Sequence, residues 1–191
     1  MKEPFMEPIL RRMRIGKVLN EIKKVPECTL LDVGCGFNYK FLSEVNSFIK
    51  QGVGIDFKVP VISSGNITTI QVTLNNKLPF ESCSFDIVTL LAVLEHLADP
   101  LAITLEIARV LKPGGKLVLT VPGKRAKPVL EFLSFKLGIV SKAEIDDHKK
   151  YYDFKELNDL SGQIDGLEII QHRHFQFGMN NFCVMKKNDE T

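Results

Sequence analysis

Apolar residues along this chain fall into short blocks, and the spacing inside each block predicts an element. Nearly continuous apolar runs at 28–33, 53–56, 85–93 and 116–121 are bounded by acids, prolines or glycines. Runs of that length suit strands covered on both faces, as in a parallel sheet. A looser alternation at 67–74 predicts a further strand with Ile67, Ile70 and Val72 inward. Between the runs, three-and-four spacing predicts helices. One spans 8–24 with Ile9, Met13, Val18 and Ile22 on one face, and it should pack on the sheet or cover a pocket at its edge. A second spans 39–49 with Phe41, Leu42, Val45 and Phe48 facing the sheet. A third spans 100–111, where Asp99 is placed to cap and Pro100 takes the first helical position. Lys112-Pro113-Gly114-Gly115 should stop it.

Beyond Pro122 the pattern loosens. Residues 129–137 read as an apolar helix and 142–152 as a polar, mixed stretch. Asp153 is placed to cap a helix over 154–160 that Gly162 ends. Two strands, 167–175 and 178–185, join through Gln176-Phe177-Gly178. Helices alternating with strands and then a hairpin give an α/β fold, one doubly wound sheet, mostly parallel with an antiparallel C-terminal hairpin strand.

Composition narrows the classes. With 191 residues, 45% hydrophobic and 25% charged, the chain is one domain with an ordinary core. A net charge of +2 gives no strong electrostatic argument for nucleic acid, so that partner is disfavoured. Basic clusters at Arg11, Arg12, Arg14 and Lys17, and at Lys124, Arg125 and Lys127, read as solvated faces. The four cysteines, Cys28, Cys35, Cys83 and Cys183, form no C-x-x-C pair, which points to a reducing, cytoplasmic setting without a metal site. Residues 1–10 lack the apolar run of a secretory signal, and the longest apolar run, 87–94, is too short to span a bilayer.

The chemistry gathers at Asp32-Val33-Gly34-Cys35-Gly36-Phe37-Asn38, where the first strand runs into a glycine turn and then a helix. Ligands of open α/β sheets bind beside such turns, and glycine lets the backbone approach them closely. Two patterns compete. The dinucleotide turn G-x-G-x-x-G wants its third glycine at Tyr39, and the methyltransferase turn D-x-G-x-G-x-G wants it at Asn38. Asn tolerates the left-handed backbone better than other residues except Gly. The acid Asp32 fits only the second pattern. Asp56 ends the second strand 20 residues beyond Gly36, the place of a carboxylate that accepts ribose hydroxyls.

Five segments in order carry a resemblance: 30–36, Gly54-Ile55-Asp56, Leu78-Pro79-Phe80 with Phe85-Asp86-Ile87-Val88, Val93-Leu94-Glu95-His96-Leu97, and 111–117. Together they resemble the class I S-adenosylmethionine-dependent methyltransferases of the compact, methyltransferase-11-like type. The resemblance implies a single Rossmann-like domain over 1–191: an N-terminal helix region at 1–26, a cofactor core at 27–122, an acceptor-site cap at 123–164 and a hairpin at 165–186. It implies S-adenosylmethionine as cofactor and S-adenosylhomocysteine as product. Gly34, Cys35 and Gly36 would pass under the methionine part, with Asp32 near the sulfonium. Asp56 would hold the ribose, Phe57 and Leu74 would flank the adenine, and Leu91 and Ala92 would line the methionine end. Thr73 stands where the family usually has an acid that binds the adenine amino group.

For a base that removes the acceptor's proton, the candidates are His96, in the matching Glu-His pair, and His148, behind Asp146 and Asp147. His172 and His174 lack acid or cysteine partners at ligand spacing, so no metal site is expected. The strand-four end Leu91-Ala92-Val93-Leu94 is not the Asp/Asn-Pro-Pro-Tyr/Phe of enzymes acting on exocyclic base nitrogens, and no Pro-Cys nucleophile is present. A small-molecule, lipid-linked or glycan-related acceptor is the expectation. Two other readings remain: a cofactor-binding regulatory or partner protein that transfers nothing, and a nicotinamide-dependent oxidoreductase, which fails at Tyr39.

Overall fold

The computed structural model describes residues 7–126 and 150–189. Helix α1 (Glu7–Ile22) leads into β1 (Thr29–Val33), α2 (Lys40–Val45) and β2 (Gln51–Asp56). Then come β3 (Ile62–Ser64), β4 (Ile67–Gln71), β5 (Phe85–Leu91), α3 (Pro100–Val110) and β6 (Leu111–Pro122). Helix α4 (Phe154–Ser161) precedes the hairpin β7 (Leu167–Phe175) and β8 (Asn180–Lys187). One eight-stranded sheet runs in the order β3-β4-β2-β1-β5-β6-β8-β7. Strands β4, β2, β1, β5 and β6 are mutually parallel, and β8 joins β6 antiparallel. The expected fold class therefore stands, with one addition: β3 pairs antiparallel with β4 at the far edge. Three residues have too little periodicity to announce a strand.

Each face of the sheet buries an apolar cluster. Helices α3 and α4 cover Leu31, Val33, Val88, Leu90 and Leu119, while α1 and α2 cover Leu30, Ile87, Val118 and Val184. Alternate strand residues point to opposite faces, so runs that are apolar throughout feed both clusters. The amino ends of the strands are tied by Asp86, whose Oδ2 accepts from the Thr29 amide at 2.8 Å and its hydroxyl at 2.6 Å, and which pairs with Lys112 at 2.9 Å. On α3, Arg109 donates to the Phe80 and Leu78 carbonyls at 2.8 and 3.1 Å, and Glu106 accepts from the Leu78 amide at 2.8 Å. That clamp fixes the Leu78-Pro79-Phe80 segment before β5.

Several expectations on faces are corrected. In α1 the buried apolar residues are Ile15, Val18 and Ile22, whereas Ile9 and Met13 are exposed, because the helix docks through its C-terminal half. Helix α2 stops at Val45 and a single 3-10 turn, Asn46–Phe48, swings Phe48 outward while Ile49 is buried. In β4 the inward pair is Ile67 and Thr69, with Ile70 and Val72 half-buried. Lys112-Pro113-Gly114-Gly115 lies inside β6 as a bulge: Phe85 faces Leu111, and Ile87 already faces Lys116. The caps hold as expected, since Asp99 Oδ1 accepts from the Ala102 amide at 3.0 Å and Glu156 accepts from the Asp153 amide at 2.9 Å. The expected helix at 129–137, and His148 with its acidic neighbours, lie outside the described residues.

Candidate functional site

The carboxyl end of β1 makes the turn. Gly34 and Gly36 adopt φ of 76° and 71°, in the left-handed region. The amides of Gly34 and Cys35 both donate to the Ile55 carbonyl of β2, at 2.8 and 3.1 Å, which holds the turn against its neighbour. A Cβ at Gly34 would sit 2.4 Å from Val93 Cγ2, so no side chain fits there. A Cβ at Gly36 would meet nothing within 4 Å; that side of the turn is open. The third left-handed position is Tyr39, at φ 37°, and not Asn38. The Tyr39 amide donates to the Gly36 carbonyl at 3.1 Å, closing a turn one residue longer than the glycine spacing suggests.

Gly36 opens on a cavity of about 300 Å³. Its floor carries Asp32, Gly34, Cys35, Gly36 and Leu91, and α1 contributes Arg11, Arg14 and Ile15. Asp56 stands directly behind the turn: its Oδ2 accepts from the Gly36 amide at 3.1 Å and its Oδ1 from the Lys58 amide at 2.8 Å. Asp32 is 2% exposed and accepts from the Thr89 hydroxyl at 2.7 Å. Burial pushes the Asp32 carboxyl up to about 7, the charge of Asp56 adds to the rise, and the Thr89 hydrogen bond opposes it. Burial, with Asp32 and Asp56 nearby, pushes the Cys35 thiol up as well, so it stays protonated and unreactive at neutral pH. Its sulfur would lie 2.9 Å from a Cβ at Gly54, which explains the glycine in β2.

The other predicted residues are more scattered. Phe57 is exposed beneath the Lys58 ammonium, 4.6 Å from the ring centroid. Thr73 is exposed, and Leu74 is half-buried against the α3-side cluster. Ala92 takes φ 57° as β5 ends, its amide donating to the Thr120 carbonyl at 2.9 Å. None of these four lines the cavity. His96 closes the 3-10 turn Leu94–His96, half-buried, with its amide donating to the Val93 carbonyl at 2.9 Å. His172 and His174 stack edge to face on β7 at 5.0 Å, and no metal-binding cluster occurs among the described residues.

Sequence reasoning missed Arg14, Thr89 and the side chain of Glu95. Arg14 was visible in the basic cluster of α1, Thr89 as the polar break in an otherwise apolar strand, and Glu95 in the Glu-His pair.

Residues 31–119, which carry the glycine turn and the floor of this cavity, match the family model described as a methyltransferase domain. This stretch is a methyltransferase domain of the S-adenosylmethionine-dependent kind. The chain is 26% identical over 194 residues to the ubiquinone biosynthesis O-methyltransferase of Serratia proteamaculans, covering 88% of this chain and 77% of that protein. It is 28% identical over 180 residues to the demethylmenaquinone methyltransferase of Bacillus cereus, covering 81% and 76% respectively. A solved SAM-dependent methyltransferase of Methanosarcina mazei shares the fold at TM-score 0.62 and 22% identity, over 86% of this chain and 94% of that one. S-adenosylmethionine is thus the cofactor of this methyltransferase. The cavity fits such a group chemically: Gly36 leaves room for close backbone approach, buried Asp32 suits a cation, and Asp56 suits a pair of hydroxyls. No described helix is long and apolar enough to cross a membrane.

Proposed function

We propose that this methyltransferase acts on a small aromatic acceptor bearing a hydroxyl, of the quinol kind and in its natural form carrying an apolar tail. The observation that carries the cofactor half of the reading is that Asp32 and Gly36 line one cavity, with Asp56 held against its glycine turn through the Gly36 amide. When bound, S-adenosylmethionine supplies a methyl group on a sulfonium sulfur, already activated for in-line displacement. The protein's part is alignment and proton removal. Asp56, whose oxygens accept from the Gly36 and Lys58 amides, would hold the ribose hydroxyls through its remaining lone pairs. Asp32 would face the sulfonium, whose positive charge would favour its ionised form. Arg14, on the α1 side of the cavity, meets the amino-acid end of the cofactor. Phe57 flanks the adenine from outside the cavity, and Thr73 offers it a neutral hydroxyl in place of a carboxylate.

The acceptor class rests on the relatives: proteins named for ubiquinone and demethylmenaquinone methylation match most of this chain. Both names describe ring substrates with lipid-soluble tails, which agrees with a lipid-linked small molecule. Calorimetric titration with S-adenosylmethionine, S-adenosylhomocysteine and NAD tests the cofactor half. Binding of the two sulfur compounds at about micromolar strength, and none of NAD, is expected. Transfer of labelled methyl to catechol and to a short-chain prenylated catechol tests the acceptor half. Turnover of a sugar or a peptide with neither catechol methylated would overturn it.

A further inference from the structure

Three carboxylates are buried among the described residues: Glu21, Asp32 and Glu95. Glu21 is paired with Lys24 at 2.6 Å and Lys116 at 3.3 Å, and Asp32 has Thr89. Glu95 differs. It is 1% exposed, and its Oε2 has no hydrogen-bond partner. The other buried side-chain oxygen so left is Thr120 Oγ1, near the carboxyl end of β6, whose residue faces Leu91 across the ladder. Thr120 therefore lies at the carboxyl edge of β6 beside Leu91 of the cavity floor, and Glu95 lies in the 3-10 turn that follows β5. A buried polar atom without a partner marks a place where something else completes the bond.

The charges facing Glu95 come from three elements. Arg14 of α1 and His96 of its own turn draw it toward ionisation, and Tyr152, after β6, feels its charge in return. Arg14 lines the cofactor cavity, and Tyr152 lines a second cavity of about 240 Å³ with Asp99, Leu101 and Leu160. Glu95 lines neither cavity; it lies two residues beyond Val93, which packs against Gly34 of the first cavity, and its charge acts on Tyr152 of the second.

We infer that Glu95 is the catalytic residue that binds the acceptor hydroxyl and takes its proton, with Thr120 as a second hydrogen-bonding point beside it. This rests on the acceptor reading above. In the balanced step the acceptor oxygen forms a bond to the methyl carbon, and the carbon–sulfur bond breaks with its electron pair left on sulfur. The hydroxyl proton passes to the Glu95 carboxylate and leaves later to solvent. Burial raises Glu95 to about 7, which suits a group that must both accept and release a proton near neutrality. His96 then stands beside Glu95 rather than acting as the base itself.

The test uses the full chain loaded with S-adenosylhomocysteine and catechol as the probe. Infrared difference spectra follow the protonated-carboxyl band from pH 5 to 9, and calorimetry follows catechol binding. A band that titrates near neutrality, disappears in Glu95→Gln and shifts when catechol binds is expected. Catechol should bind about tenfold or more weakly to Glu95→Gln, with S-adenosylhomocysteine affinity changed less than about twofold. Should Glu95→Gln not fold, Asp32→Asn carries the assignment, because a catechol-sensitive band that survives it belongs to Glu95. A band indifferent to catechol, or equal catechol affinity in the variant, overturns the inference alone, and no catechol binding to the loaded wild type overturns the acceptor reading and the inference with it. Failure of the wild type to bind S-adenosylhomocysteine overturns the cofactor reading and this inference with it.

Discussion

The two halves of the sheet's carboxyl edge are finished differently. At β1 and β2 the polar atoms close on one another: Asp56 holds the Gly36 and Lys58 amides, and Asp32 holds the Thr89 hydroxyl. At β5 and β6, Glu95 Oε2 and Thr120 Oγ1 are buried and unpaired. Leaving such an atom unmade costs about 1–3 kcal/mol, so the second half gives up stability that the first retains. A self-contained half is suited to holding one invariant ligand in a set geometry. An incomplete half is suited to a group that arrives with its own donor.

The largest way to break that comparison is to empty the first half. Asp56→Ala removes an acceptor of charge-assisted hydrogen bonds, each worth about 1.5–3 kcal/mol, so S-adenosylhomocysteine binding should fall roughly 100-fold or more by calorimetry. A variant that binds within a factor of a few would refute the ribose role.

Next is Gly34→Ala. The new Cβ meets Val93 Cγ2 at 2.4 Å and is forced into a left-handed backbone at φ 76°. Strain and clash together should cost about 2–4 kcal/mol in denaturant unfolding. Gly36→Ala, at a similar φ but with open space for its Cβ, should cost only the backbone part, about 1–2 kcal/mol. It should lose more in cofactor affinity than in stability. Equal stability losses at the two positions would mean that the Val93 contact is irrelevant.

Titration gives a third handle. Asp32 rises from 3.8 to about 7 on folding, so between those values the native state binds the extra proton. Its contribution therefore makes stability fall as pH rises through that window and level off above it. Glu95, raised from 4.5 to about 7, acts in the same direction. Glu156, lowered to about 2 chiefly by its Lys124 hydrogen bond, acts in the opposite direction at lower pH. Asp32→Asn should flatten the loss between pH 4 and 7 by an amount of order 1–4 kcal/mol, read from urea midpoints across pH. An unchanged slope would place the Asp32 carboxyl in water rather than in the core.

How far these two halves were legible in the sequence follows from what each depends on. The glycine turn was readable because a left-handed backbone beside a packed strand leaves few residues besides glycine, and Asp56 followed from strand length. Its third strained position was not, since the turn closes at Tyr39, and only the Gly36–Tyr39 hydrogen bond fixes that length. The parallel sheet with its antiparallel hairpin followed from the alternation of helices and strands, but the docked part of α1 did not. Periodicity names a face, and only the sheet beneath decides that Ile15, Val18 and Ile22 touch it while Ile9 does not. Likewise the Glu95-His96 pair is visible as letters, and residue type alone points to the histidine as the base. That Glu95 is the buried partner with an open lone pair is a property of the fold, with no signature in spacing.

The smallest effect sharpens the comparison most directly, because it uses the same substitution on both sides. Thr89 and Thr120 are both buried threonines in adjacent central strands. Thr89→Val removes the donor from the buried Asp32 carboxyl while leaving that carboxyl in place, so about 1–3 kcal/mol of stability should be lost. Thr120→Val removes a hydroxyl that has no partner and keeps the shape, so stability should change by about 0.5 kcal/mol or less, or rise. The same Thr120→Val protein should nonetheless bind catechol more weakly in the presence of S-adenosylhomocysteine. Stability unmoved and acceptor binding reduced separates an atom kept for a ligand from one kept for the fold. If Thr120→Val instead destabilises as much as Thr89→Val, the hydroxyl already serves the fold, and the two halves of the edge are built alike.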